Sequence, residues 1–260
     1  MNYQFTKKQV YVNEQKIFYL EGGTASNSEP ILFIHGWGVG TQPYQEVLNV
    51  LCKRHYVIAP ELPGFNSSSS DKLNWNYNDY ADLISAFLQR LNIKKVHFIG
   101  HSLGGGIGAT VAALMPHLVK SLILVDSTGI PVEPVPLVFV QRAIEMTAQA
   151  PQIRFPQVIQ IFQAFSYNLF FRTYNTLQIL LMSLQKDLKP RLPKITSPCL
   201  LLWGKNDLTT PLKAAEEFSQ LIKGSKLIVI DGAYHEWSIF FVDKFTTLVF
   251  DFLDEIAGRK

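Results

Sequence analysis

The sequence predicts an α/β protein: a mostly parallel, eight-stranded sheet flanked by helices, with a helical insertion between its sixth and seventh strands. Eight short apolar runs alternate with helical patterns along 260 residues, the rhythm of a parallel sheet covered on both faces. Most of these runs are nearly continuous rather than alternating, as strands buried on both sides should be. The stretch 128–194 breaks the rhythm, opening with Pro131, Pro134 and Pro136 and closing with Pro190 and Pro193. Proline punctuation at both ends of helix-like sequence sets off an insertion.

Taken in order, the runs at 4–12 and 16–21 are joined by a short link and read as an antiparallel edge. A strand at 31–35 is followed by a helical pattern at 42–53, a strand at 55–59 and a helix at 78–91. The run Val96-His97-Phe98-Ile99 marks a strand at 95–99, and the glycine- and alanine-rich segment after it a helix at 103–115. Strands at 119–125, 198–203 and 226–230 complete the sheet, with helices at 211–222 and 239–257. The predicted division is a core of residues 1–127 and 195–260 and a helical cap, or lid, of residues 128–194.

Composition fits an enzyme without specifying one. At 260 residues and 47% hydrophobic, the chain can bury a sizeable core. A net charge of +3 is too weak to argue for nucleic acid, and no phosphate-binding loop or nucleic-acid motif supports that partner. The N-terminal MNYQFTKKQVYVNEQKIF lacks the apolar core of a secretory signal, so a cytoplasmic location is expected. Cys52 and Cys199 are isolated and read as small core hydrophobes. No His, Cys and Asp cluster has metal-ligand spacing, so neither metal nor organic cofactor is expected.

The most informative stretch is Gly100-His101-Ser102-Leu103-Gly104. Strand, sharp turn and helix follow one another there, with a serine at the apex. A turn this tight strains the central residue and leaves no room for side chains two positions either side. Ser102 is expected to stand exposed at a helix N-terminus, with the N–H of Leu103 aimed at an oxygen that becomes negative. A serine hydroxyl is a weak nucleophile and needs a base, a group that orients the base, and oxyanion donors.

Each has a candidate in chain order. His235 follows the run Lys226–Ile230 and can reach the edge of the sheet where strands end. Asp207 follows Leu200-Leu201-Leu202-Trp203 and would fix the imidazole tautomer. Asp126, at the end of Ser121–Val125, is the rival acid. Asp207 is preferred because reading it as a turn residue leaves His235 without an orienting partner, and Asp126→Asn is expected to cost little activity. His55, His97, His101 and His117 read as structural or solvent-exposed. The second oxyanion donor is the N–H of Trp37 in His35-Gly36-Trp37-Gly38, where His35, Gly36 and Gly38 support the turn as Gly100 and Gly104 support the serine.

With these residues placed, the chain resembles the α/β-hydrolase superfamily over essentially its whole length. The matching pieces are HGWG (35–38), GHSLGG (100–105), WGKND (203–207) and GAYHE (232–236). The segment Ala59–Ser68 resembles the family's DxPGxGxS, with Glu61 in place of aspartate and Asn66 in place of glycine; asparagine tolerates positive φ. The resemblance implies an α/β-hydrolase fold and a Ser102, His235, Asp207 triad. Family dehalogenases and epoxide hydrolases use an aspartate nucleophile, and its carbon–carbon bond hydrolases usually carry asparagine where this chain has His101. What remains is the serine esterase and lipase branch, with halogenating relatives sharing the same triad.

The expected function is therefore hydrolysis of a small-molecule carboxylic ester, hydrophobic or aromatic, through an acyl-enzyme. The alternatives are a thioesterase or acyltransferase with the same triad, and a non-catalytic hydrolase-fold binding protein. Within the cap, the surplus of apolar residues from Val158 to Tyr174 is expected to pack helix on helix and also to line an acyl pocket. Gln160, Gln163, Asn168, Arg172 and Asn175 interrupt it, so no transmembrane segment is expected. Seven lysines and arginines against Glu133, Glu145 and Asp187 make the cap basic, which suits an acidic acyl carrier protein as a partner or a solvated face.

Overall fold

A computed structural model describes residues 5–24, 29–65, 68, 72–149 and 173–258. Its strands are β1 (Phe5–Val12), β2 (Gln15–Gly22), β3 (Ile31–Ile34), β4 (Val57–Pro60), β5 (Val96–His101), β6 (Val119–Val125), β7 (Cys199–Gly204) and β8 (Lys226–Ile230). They form one sheet in the order β1-β2-β4-β3-β5-β6-β7-β8. β1 pairs antiparallel with β2, and β2 antiparallel with β4; every pair from β4 onward is parallel. The expected α/β architecture, with its antiparallel edge, is the one observed.

Among the described residues the helices are α1 (Gln45–Cys52), α2 (Tyr77–Arg90), α3 (Leu103–Leu114), α4 (Val135–Gln149), α5 (Thr173–Gln185), α6 (Leu212–Leu221), α7 (Trp237–Phe240) and α8 (Val242–Ile256). Alternate strand residues feed two cores. Leu32, Phe98, Leu122 and Leu201 pack with α2, α3 and α6, whereas Phe33, Ile99, Ile123 and Leu200 pack with α1, α7 and α8. Buried on both faces, the central strands can be apolar throughout. The edges are treated differently: β1 exposes Lys7 and Lys8, and β8 leaves Val229 exposed, with charge on the outer strand discouraging further pairing.

Local sequence explains most boundaries. α2 starts at a capping box, in which the Asn76 side chain accepts from Asn78 N and Asp79 N, and Asp79 Oδ2 accepts from Asn76 N at 2.9 Å. The predicted helix 42–53 begins as a 3-10 turn over Gln42–Tyr44, with Pro43 in the first turn, where its missing N–H leaves no helical bond unmade. The predicted helix 239–257 begins earlier and breaks at Phe241 (φ −105°, ψ 56°). The cause is tertiary: Trp237 Nε1 donates to Asp126 Oδ2 at 2.6 Å and pins α7 beneath the end of β6.

Between β6 and β7, α4 and α5 contact each other and reach back to the core. Trp37 Nε1 donates to Thr176 O of α5 at 2.7 Å, and Tyr77 Oη shares a hydrogen bond of 2.7 Å with Thr128 Oγ1. The apolar stretch from Val158 to Phe171 and the turn at Asn66 lie outside the described residues. Tyr174, the last of that apolar series, is exposed. Both cysteines are free and buried, and burial pushes the Cys52 thiol up to about 12. Among the described residues, no helix is long and apolar enough to cross a membrane.

Candidate active site

The site forms where β3, β5, β6 and β7 end side by side. β5 enters a turn at Ser102, whose backbone is left-handed at φ 53° and ψ −115°. For a residue with a Cβ this conformation costs about 1–3 kcal/mol and persists only where surroundings enforce it. Here Ser102 N donates to Val125 O at 2.9 Å, and Ser102 O accepts from Gly105 N at 2.9 Å and Thr128 N at 3.1 Å. A Cβ at Gly100 would lie 2.2 Å from Gly104 O, and one at Gly104 would lie 2.3 Å from Ile34 O. Both obstacles are backbone. Gly104→Ala is expected to lower stability by at least about 1–3 kcal/mol, read as a reduced melting temperature; an unchanged melting temperature contradicts the steric account.

The same close approach seats the first turn of α3 against the end of β3. Ile34 pairs with Gly100 in register, so Trp37, in the turn after β3, and Leu103, the first residue of α3, lie on neighbouring chain ends. His35 is buried beneath this turn, and the hydrogen bonds fix its tautomer. Leu62 N donates to His35 Nε2 at 3.0 Å, so Nδ1 carries the proton and donates to Gly36 O at 2.7 Å. Burial holds the imidazole below its usual pKa. Glu61 also fits here, accepting from Thr41 N at 3.0 Å and Thr41 Oγ1 at 2.5 Å. Gly36 leaves room for His101 and Tyr44, and Gly38 is left-handed at φ 78°.

Ser102, His235 and Asp207 come together from three loops. His235 Nε2 is 3.0 Å from Ser102 Oγ, and His235 Nδ1 is 2.8 Å from Asp207 Oδ2. Thr210 Oγ1 donates to Asp207 Oδ2 at 2.6 Å, and Thr209 N and Thr210 N both donate to Oδ1 at 2.8 Å. Burial disfavours the charge on Asp207, but the adjacent imidazole and these donors outweigh it, and its pKa lies below the usual aspartate value. Burial likewise opposes charge on His235, yet the Asp207 carboxylate raises its pKa overall.

One expectation needs correction. Ser102 is 7% exposed rather than standing free; beside it, α5 is bonded to Trp37 through Thr176 O and α4 to His235 N through Glu145. His101 takes the structural role among those expected for it, buried and bonded on both ring nitrogens. Tyr44 Oη is 2.6 Å from His101 Nδ1, and His101 Nε2 is 2.9 Å from His235 O. A carbonyl can only accept, so Nε2 carries the proton and Tyr44 donates to Nδ1. Burial holds His101 near pKa 4, which keeps it neutral. Gly36 N donates to Tyr44 Oη at 3.3 Å, completing a path from the β3 turn to the histidine loop. Of the other histidines, His55 and His97 are buried and His117 is exposed.

Asp126 is not bonded to His235. Its Oδ1 accepts from Gly204 N at 2.7 Å and its Oδ2 from Trp237 Nε1, so it ties β6 to β7 and α7. Burial first, and the nearby Asp207 charge second, push its pKa well up. The carboxylates of Asp126 and Asp207 and a ring nitrogen of His235 have ligand atoms within 4.8 Å of one another. The carboxylate oxygens already face N–H or O–H donors, which a cation would have to displace.

Charged residues that the sequence did not single out surround His235. Glu145 of α4 accepts from His235 N at 2.7 Å, and Arg142 pairs with Glu236. The ion pair outweighs burial and holds Glu236 at about 2.

The sequence profile of the alpha/beta hydrolase family matches residues 31–245, and the chain belongs to that family. It is 25% identical over 280 residues to the 2-hydroxy-6-oxo-6-phenylhexa-2,4-dienoate hydrolase of Burkholderia cepacia, covering 95% of this chain and 96% of that one. Among solved structures it is similar to a membrane phospholipase A described as a bacterial virulence factor, with 26% identity, TM-score 0.83 and coverage of 98% and 87%. The enol-lactonase of Burkholderia xenovorans shares the fold at TM-score 0.82 and 21% identity, with coverage of 95% and 99%.

Proposed function

We propose that the protein is a serine hydrolase that cleaves carboxylic esters in two steps. The observation that carries this reading is the unbroken chain of hydrogen bonds from Asp207 through His235 to Ser102, set on a strained turn. Ser102 Oγ attacks the ester carbonyl carbon while His235 Nε2 takes its proton. The N–H groups of Trp37 and Leu103 hold the oxyanion, each such donor contributing about 3 kcal/mol in the transition state. The tetrahedral intermediate expels the alcohol, which takes its proton from His235. Water, deprotonated by the same histidine, then releases the acid and restores Ser102.

Residues 128–194 act in this reading as a cap over the site, and the likeness to a phospholipase A supports an ester with an apolar acyl group. The test is hydrolysis of p-nitrophenyl esters from acetate to palmitate. Serine-dependent turnover with a chain-length optimum is expected; no turnover of any ester by folded protein overturns the ester assignment.

A second reading, hydrolysis of a carbon–carbon bond, is favoured by the Burkholderia cepacia relative. His101, where such enzymes of the family usually have asparagine, speaks against it. Including 2-hydroxy-6-oxo-6-phenylhexa-2,4-dienoate in the same panel separates the two.

The pH dependence follows from the direction of the His235 shift. The base must be neutral to take the proton, and Asp207 raises its pKa above the ordinary 6.5. Ester kcat/KM is therefore expected to fall as pH drops through a midpoint above 6.5 and to be level above it. An acid limb centred below 6.5 contradicts the assignment of His235 as base.

A further inference from the structure

α4 is packed with its polar side inward. Glu145 and Gln149 are buried, whereas Leu137, Phe139, Val140, Ile144 and Met146 are exposed and Val138 is its buried aliphatic residue. A surface helix ordinarily does the reverse. Its polar contacts therefore seat it, and they end on the two loops that hold the site.

Glu145 is 0% exposed, and both its oxygens face donors. Oε1 accepts from the His235 backbone N–H at 2.7 Å, and Oε2 accepts from Thr209 Oγ1 at 2.7 Å, two residues past Asp207. Arg142 Nη1 donates to Oε2 at 3.2 Å and to Glu236 Oε2 at 3.0 Å, and Gln149 Nε2 donates to Glu236 Oε2 at 2.9 Å. The backbone of His235 is thus gripped on both sides, its N–H by Glu145 and its C=O by His101 Nε2. A buried carboxylate is tolerated only when paired and bonded in this way.

We propose that Glu145 is a positioning residue for His235, holding the histidine and acid loops in register so that the imidazole stays between Asp207 and Ser102. This rests on the serine hydrolase reading. Glu145 touches no reacting atom; it acts through the backbone of His235. A displacement of about 1 Å in a base can cost about 10²-fold in rate.

The test compares Glu145→Gln, Glu145→Asp and Glu145→Ala on p-nitrophenyl butyrate, with rates expressed per active site titrated by a fluorophosphonate. Glutamine keeps the reach and an acceptor for the His235 N–H; aspartate keeps the charge but retracts it by one methylene. Glu145→Gln is expected to hold kcat within about threefold of the parent. Glu145→Asp and Glu145→Ala should lose about 10- to 100-fold in kcat, with KM nearly unchanged, as a misplaced base requires. A purely structural role would lower the titrated fraction and leave kcat per site intact, which overturns the proposal. So does the opposite ranking, with aspartate active and glutamine impaired, since charge rather than reach would then matter. If Glu145→Ala does not fold, the aspartate and glutamine variants decide alone. Ser102→Ala is run beside them: turnover in that variant condemns the serine reading itself, whereas its loss together with normal kcat in the Glu145 series condemns only the positioning role.

Discussion

Replacing Ser102 with alanine is expected to lower ester turnover by about 10⁶-fold, the scale seen when the nucleophile of a serine, histidine and aspartate set is removed. The loss should leave the fold unchanged. Removing Oγ breaks one hydrogen bond, to His235 Nε2, while the backbone bonds that hold the turn, Ser102 N to Val125 O and Gly105 N to Ser102 O, remain. Far- and near-ultraviolet circular dichroism should match the parent, and rates should be followed over hours so that a residue of parent enzyme is not mistaken for activity. Turnover within a factor of ten of the parent would remove Ser102 from the chemistry.

Asp207→Asn is expected to cost about 10⁴-fold in kcat, by the tautomer argument. Thr209 N and Thr210 N both donate to Oδ1 of Asp207, so an asparagine would place its carbonyl there and turn its NH₂ toward His235 Nδ1. That nitrogen must then accept, and the ring proton moves to Nε2, facing Ser102 with nothing to receive a proton. Asp126→Asn should behave differently. Its two oxygens accept from Gly204 N and Trp237 Nε1, and an amide cannot accept at both positions. The variant should lose about 1–3 kcal/mol of stability, seen as a lower melting temperature, while the folded fraction keeps its kcat. If Asp126→Asn lost kcat and Asp207→Asn did not, the acid would be Asp126.

The elements legible in the sequence are those where local chemistry and fold agree. Strands such as Leu122–Val125 and Leu200–Trp203 announce themselves because burial on both faces demands unbroken apolar runs, and Gly100 and Gly104 because the turn admits no Cβ. Ser102, Asp207 and His235 each follow a strand, so chain order alone points to one edge of the sheet. Glu145 was not legible. Arg142, Glu145 and Gln149 fall at helical spacing on α4 and, as sequence, look like a solvated face; only the exposed Phe139, Val140 and Ile144 opposite them show that the stripe points inward. His101 gave no signal either, since its partners Tyr44 and His235 O lie 57 and 134 residues away. The break at Phe241 has the same origin: no proline or glycine marks it, and the bond from Trp237 to Asp126 crosses 111 residues.

The central claim is that an acyl group passes through Ser102. The most direct measurement mixes the enzyme with p-nitrophenyl butyrate, quenches it in acid during turnover and locates any added butyryl group by peptide mass spectrometry. The group is expected on the peptide bearing Ser102, on the serine itself, and on no peptide of Ser102→Ala. Butyrate release by Ser102→Ala at the parent rate, or a butyryl group on another residue that turns over at the rate of the reaction, would contradict it.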